Sequence, residues 1–327
     1  MNRYFALWGL FAFLFLNSCT KREDVQIQRL DQSLFSAKSR EEVRSFLNQN
    51  RTFAQLYFNT NLAGEDTALV GALHQRINDP ELNVLYKQAQ EVFGDVSALE
   101  TGLAEAFTNL KKDYPDFVPP KVVTALTGFL GPDIVVTDSL IVIGLDYYIG
   151  AGAKYRPLGP EGPLPRYILR RYAPDYIVPN IVFALSNKYN LRNPADETLL
   201  ADMIYFGKGY VFTKTMLPST PDSLIIGYTD QQLTDTYAAQ DLVWAHFIDN
   251  QLLYQASPQQ KQRYLGERPY TAEIGPKCPG AIGRWLGWRI VGRYRDERDV
   301  PITDLMKNTD ARQIFAASGY KGQIDEE

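Results

Sequence analysis

NPADETLLADMIYFGKGYVFTKTMLP, residues 193–218, is the stretch around which the rest of the chain is organised. It reads as a long buried helix. Asn193 suits an N-cap, Pro194 the first helical position, and Asp196 and Glu197 the positive helix end. Leu199, Leu200, Met203, Ile204, Phe206, Tyr210 and Val211 form a broad apolar face, and Pro218 stops the run. A zinc-binding helix of the His-Glu-x-x-His type needs two ligands four residues apart on one face. Here Glu197 is followed at that spacing by Ala201, Asp202 by Phe206, and Tyr205 by Gly209, and the stretch has no histidine. Gly207 and Gly209 each cost about 1 kcal/mol of helix propensity relative to alanine. Close approach of a second backbone is the packing reason to keep them.

Working outward, the whole chain has 327 residues, 34 Lys+Arg against 38 Asp+Glu, and a formal net charge of -4. With 45% apolar and 22% charged residues it is too apolar for disorder and not basic enough to suggest a nucleic-acid partner. Two cysteines, Cys19 and Cys278, and two histidines, His74 and His246, leave little material for zinc, haem or iron–sulfur sites, and no cofactor is expected.

The N-terminus reads as a processing signal. Arg3 precedes the apolar run Leu7–Leu16, of h-region length and about half what a spanning helix needs. The run ends in Leu16-Asn17-Ser18-Cys19, which resembles a bacterial lipobox. Residues 1–18 are thus expected to be a lipoprotein signal peptide, Cys19 the lipid attachment site, residues 19–24 a charged linker and 25–327 one globular domain. With Cys19 acylated, Cys278 has no intrachain disulfide partner.

Within the domain, residues 25–117 read as helical hairpins. Ile27, Leu30, Leu34 and Phe35 recur at helical spacing; Ser39 and Asp79-Pro80 mark helix starts. Residues 118–327 read as sheet plus helix. KVVTALTGF (121–129), Ile134–Thr137 and LIVIG (140–144) form an expected three-stranded antiparallel meander, covered by helices on at least one face. The fold expectation is α+β, mostly helical, with a small antiparallel sheet.

A Gly/Pro-rich loop follows Asp146-Tyr147-Tyr148. Leu164–Tyr172 then carries Arg166, Arg170 and Arg171, readable either as an anion site or as surface charge paired with acidic neighbours. In the helix expected from Asp230 to Tyr254, His246 has Asp249 and Asn250 three and four residues on, a spacing open to a catalytic pair or to a hydrogen-bonded structural histidine. Cys278 is placed at the start of the next helix, where a thiol pKa can be lowered, but with no partner histidine nearby in sequence it reads as incidental. In Pro279–Tyr294, Gly283 and Gly287 open a groove on one helix face, and Arg284, Arg289, Arg293 and Arg295 make the segment basic. Asp146, Tyr147, Arg170, Arg284 and Arg289 are the candidate ligand or partner surface. A glycan-binding reading would use Tyr147, Tyr148 and Tyr155.

Taken in order, the lipobox, IQRLDQSLF (27–35), IGLDYYIG (143–150), LPRYILRRYAPDYIVP (164–179), LLADMIYFGKGYVF (199–212) and PGAIGRWLGWRIVGRY (279–294) resemble the gliding-motility-associated lipoprotein GldB family of the Bacteroidetes. The charged patch after Cys19 is similar to the surface-export signal of lipoproteins from that group, as well as to a plain linker. The resemblance implies a zincin-like scaffold whose counterpart of the metal-binding helix, Leu199–Phe212, lacks the ligands. It implies a non-enzymatic envelope lipoprotein, anchored in the membrane through Cys19 with its globular part in the periplasm, whose partners are other gliding and secretion proteins. The alternative is a hydrolase with a non-standard site near His246 or Asp146.

Overall fold

The computed structural model describes residues 22–323, so Cys19 and the expected signal peptide lie outside the described residues. Strand β1 (Ile27–Arg29) runs straight into α1 (Leu30–Phe35). Helices α2 (Arg40–Gln49), α3 (Arg51–Phe58), α4 (Thr67–Ile77), α5 (Pro80–Phe93) and α6 (Ser97–Asp113) follow. Their starts obey the capping chemistry of the sequence. Ser39 Oγ accepts from Glu42 N, and Asp79 accepts from Glu81 N and Leu82 N with Pro80 at the first helical position.

Strands β2 (Lys121–Ala125), β3 (Ile134–Val136) and β4 (Leu140–Gly144) sit where the sequence places them, but they do not form an antiparallel meander. The sheet has four strands in the order β1-β2-β4-β3, with β1 parallel to β2, β2 parallel to β4, and only β3 antiparallel. Burial explains the order. All five residues of β4 are buried and require an interior position, whereas the three half-buried residues of β3 suit an edge. Both faces are covered. Val122, Ile141 and Ile143 join the main core, and Val123, Ala125, Leu140 and Val142 join a second core built with α2, α3 and α4. This is the period-2 alternation of strands with a helical layer on each side.

After a loop containing a two-stranded turn (Leu158–Gly159 with Gly162–Pro163) come α7 (Arg166–Leu169), α8 (Ile177–Ser186) and α9 (Leu199–Met216). Helix α9 is the expected central element, but it starts at Thr198, whose side chain accepts from Ala201 N. Asn193 instead caps a turn, accepting from Ala195 N. Helices α10 (Asp222–Ile226), α11 (Asp230–Ala238), α12 (Gln240–Asp249), α13 (Pro258–Leu265), α14 (Ile282–Arg298), α15 (Ile302–Lys307) and α16 (Ala311–Ser318) complete the chain.

Helix α14 crosses α9 at two glycines. A Cβ on Gly287 would collide with the backbone of Met203, and one on Gly207 with the carbonyl of Gly287. Next to Gly207 on α9, Lys208 is 2% exposed. Its Nζ donates to the carbonyls of Leu191 (2.6 Å), Met306 (3.2 Å) and Asn308 (2.8 Å). Burial lowers its pKa to about 8. Lys208 therefore ties α9 to the segments flanking α8 and α15. Among the described residues no helix is long and apolar enough to cross a membrane.

Candidate functional site

A polar cleft with a volume of about 150 Å³ gathers arginines from three separate segments. Arg170 and Arg171 follow the single turn of α7, Arg268 sits after α13, and Arg284 lies in the first turn of α14. Tyr210 of α9 and Tyr228 add phenols. The wall is shaped by Gly227, which ends α10 at φ +79, where a Cβ would also press on the Arg171 side chain. The capping box of α11 then holds Gln232 in place through Thr229.

The charges are unequally satisfied. Arg171 forks onto Glu267, with Nη1 to Oε1 at 3.2 Å and Nη2 to Oε2 at 2.5 Å. Arg284 Nη1 approaches the same carboxylate at 3.6 Å and its guanidinium lies 4.4 Å from the Phe206 ring centre. Arg268 donates to both oxygens of Glu273 at 3.2 and 2.9 Å. Among the described residues Arg170 has only neutral acceptors, the Gly227 carbonyl at 2.8 Å and Gln232 Oε1 at 3.4 Å. Nε of Arg170 and Nε of Arg284 are buried with no hydrogen-bond partner. Burial pushes the Tyr210 and Tyr228 phenols up, so both stay protonated at neutral pH; Tyr228 Oη donates to the Gly280 carbonyl at 2.8 Å. For Arg171, burial works against the charge, but Glu267 outweighs it and the pKa rises.

Two of the five residues singled out from sequence, Arg170 and Arg284, thus meet in one cleft. The other three lie elsewhere. Arg289 stacks 5.0 Å over the Tyr237 ring beside a separate hollow with Trp288 and Arg295. Asp146 is fully buried, and its Oδ2 accepts from Thr127 N (3.0 Å) and Phe129 N (2.8 Å). Tyr147 Oη donates to the Gly131 carbonyl at 2.8 Å. These two side chains staple the turn after β2, where Phe129 sits at φ +64, an unfavourable region for a bulky residue. Burial raises the Asp146 pKa, although the two N–H groups oppose it.

Several expectations are corrected. The helix expected over Leu164–Tyr172 is the four residues of α7; Arg170 N still bonds the Arg166 carbonyl at 3.0 Å, so the two arginines lie one turn apart, but Arg166 is exposed and does not line the cleft. Among the described residues Arg170 pairs with no acid, whereas Arg171 of the same cluster pairs with Glu267. The helix following Cys278 begins only at Ile282, and burial pushes the thiol up to about 12, opposite to the helix-terminus effect. His246 Nε2 bonds the Tyr264 hydroxyl at 3.0 Å; Asp249 is exposed and makes no hydrogen bond to it. Tyr148 is fully buried and Tyr147 half-buried, so they offer no exposed stacking platform. Glu267, Gln232 and Tyr228 carry no sequence signal and emerge only from the fold. Among the described residues no group of three or more His, Cys, Asp or Glu side chains is placed to hold a metal ion.

The fold is that of a mostly helical α+β protein, and its polar cleft is rich in guanidinium donors. The family model described as "Gliding motility protein GldB" matches residues 17–322, and the chain belongs to that family. Comparison with curated proteins and with solved structures gave no match.

Proposed function

We propose that the protein is a lipid-anchored envelope component that supports gliding motility and its associated secretion machinery by binding a partner or ligand, without catalysing a reaction. The observation that carries this reading is the make-up of the cleft. Its lining offers guanidinium and phenol donors, and its one carboxylate, Glu267, is spent on Arg171 and Arg284. A cleft of donors with its base neutralised recognises anions; general-base chemistry needs a free acceptor poised near neutral pH.

In this reading residues 1–18 are removed, Cys19 is acylated, residues 19–24 form a linker and 25–327 a single domain on the periplasmic side, where other motility and secretion proteins are its partners. Acyl chains on Cys19 hold it at the membrane through apolar burial, at about 0.8 kcal/mol per CH₂. The zincin-like scaffold implied by resemblance then serves for shape alone.

Deletion of the chain should abolish colony spreading, and full-length protein should restore it. Spreading by the deletion strain would overturn the reading. A Cys19→Ala protein that stays soluble and still restores spreading would remove the need for an anchor. His246→Ala should restore spreading fully; a folded His246→Ala protein that fails would favour a hydrolase.

A further inference from the structure

The arginine cleft has an unusual charge balance for a half-buried site. Arg268 turns onto Glu273, which also holds Arg263; the three remaining guanidinium groups (Arg170, Arg171, Arg284) face one carboxylate, Glu267, which among the described residues leaves two positive charges without a counter-ion. Taking charge out of water without a partner is costly, and a guanidinium with a buried, unbonded Nε is costlier. Both Arg170 and Arg284 are in that state. Arg170 is fixed from one side by Gly227 and Gln232, whereas Arg171 and Arg284 are fixed by Glu267, so the forks are held in place before any ligand arrives.

We propose that this cleft is a binding site for a dianionic phosphate group, either free phosphate or the phosphomonoester of a small molecule, recognised by Arg170 together with Arg171 and Arg284. The proposal rests on reading the cleft as a binding site. Two uncompensated charges match a phosphate dianion, whereas a single carboxylate would neutralise only one. Guanidinium forks are suited to phosphate oxygens, and the protonated Tyr210 phenol belongs to the same lining, whereas the Tyr228 proton is already given to the Gly280 carbonyl. The volume of about 150 Å³ is below the roughly 300–1,000 Å³ of a typical small-molecule pocket. Only the anionic head enters, and the rest of an ester extends outward past the exposed Pro269 of the cleft wall. Glu267 acts as a built-in competitor, because it occupies two of the forks the phosphate would use.

The test is calorimetric titration of the full-length protein in detergent micelles with inorganic phosphate, glycerol 3-phosphate and succinate. Saturable 1:1 binding of a phosphate is expected, tightening as pH rises through the formation of the dianion, at about 6 for the ester and about 7 for inorganic phosphate. Tighter binding of glycerol 3-phosphate identifies an ester as the ligand, and equal binding identifies free phosphate. Arg170→Met should weaken binding by about tenfold or more, since it removes a charge-assisted contact. Arg166→Met, an exposed arginine outside the cleft, should leave binding unchanged. Glu267→Gln should tighten binding by releasing the forks, a gain that loss of folding cannot mimic. Absence of saturable phosphate binding, a preference for succinate, or an unaltered Arg170→Met protein would each overturn the proposal. Colony spreading separates this from the reading beneath it. If phosphate does not bind but folded Arg170→Met still fails to support spreading, the ligand class is wrong and the binding role stands. If phosphate binding is lost in Arg170→Met and spreading is normal, the site stands and its link to motility falls.

Discussion

The crossing of α9 and α14 makes a prediction with its own control on the same helix. In Gly287→Ala the new methyl meets the carbonyl oxygen, carbonyl carbon and Cα of Met203, all backbone atoms that cannot swing aside. Overpacking of this kind costs about 1–3 kcal/mol, occasionally more. Relief requires two long helices to separate, so the upper part of that range applies. Alanine recovers about 0.8–1 kcal/mol of helix propensity, which leaves a net loss of about 2 kcal/mol. Gly292, further along α14, has nothing within 4 Å of the place a methyl would occupy. Gly292→Ala should therefore stabilise by about 0.5–1 kcal/mol. Urea unfolding followed by circular dichroism should show a lower midpoint for Gly287→Ala and a higher one for Gly292→Ala, with unchanged slopes. A Gly287→Ala protein within about 0.5 kcal/mol of the parent, or two variants shifting in the same direction, would refute the close backbone contact.

Lys208→Met should destabilise by about 2–4 kcal/mol, because the Leu191 and Asn308 carbonyls lose their buried donor while the cost of burying an ammonium is relieved; thermal melting measures it. The same lysine sets a pH dependence. Its folded pKa of about 8 lies below the unfolded value of about 10.4, so the unfolded chain holds more protons in that window and stability rises as pH climbs from about 8 to about 10. The Met variant should lack that rise. Burial against Tyr264 lowers the His246 pKa, with Glu273 and Asp249 opposing. Its contribution is complete above the unfolded pKa of about 6.5 and is lost as pH falls below it, so His246→Gln should flatten the acid limb of the stability profile.

Much of the fold is legible in the sequence, and the misreadings have physical causes. Ser39 and Asp79-Pro80 are unambiguous starts, and each caps as its chemistry dictates. NPADET offers Asn193, Asp196 and Thr198 as rival caps within one short stretch; the structure uses Thr198 for the helix and the other two for the turn before it. Ile27–Arg29 blends into a helical pattern because three residues are too few to show a period of two before α1 begins. Strand order is not local information: that LIVIG lies between β2 and β3 follows from which runs must be buried on both faces. The cleft is half legible. Arg170 and Arg284 stand out as members of basic stretches, yet Glu267, Gln232 and Tyr228 come from segments whose approach no spacing rule announces.

Colony spreading of a deletion strain carrying full-length Arg170→Met protein, at parental abundance and melting temperature, tests the account most directly. Loss of spreading is the predicted result, with recovery on returning arginine to position 170. Parental spreading by a stable Arg170→Met protein would contradict a role for the cleft in motility.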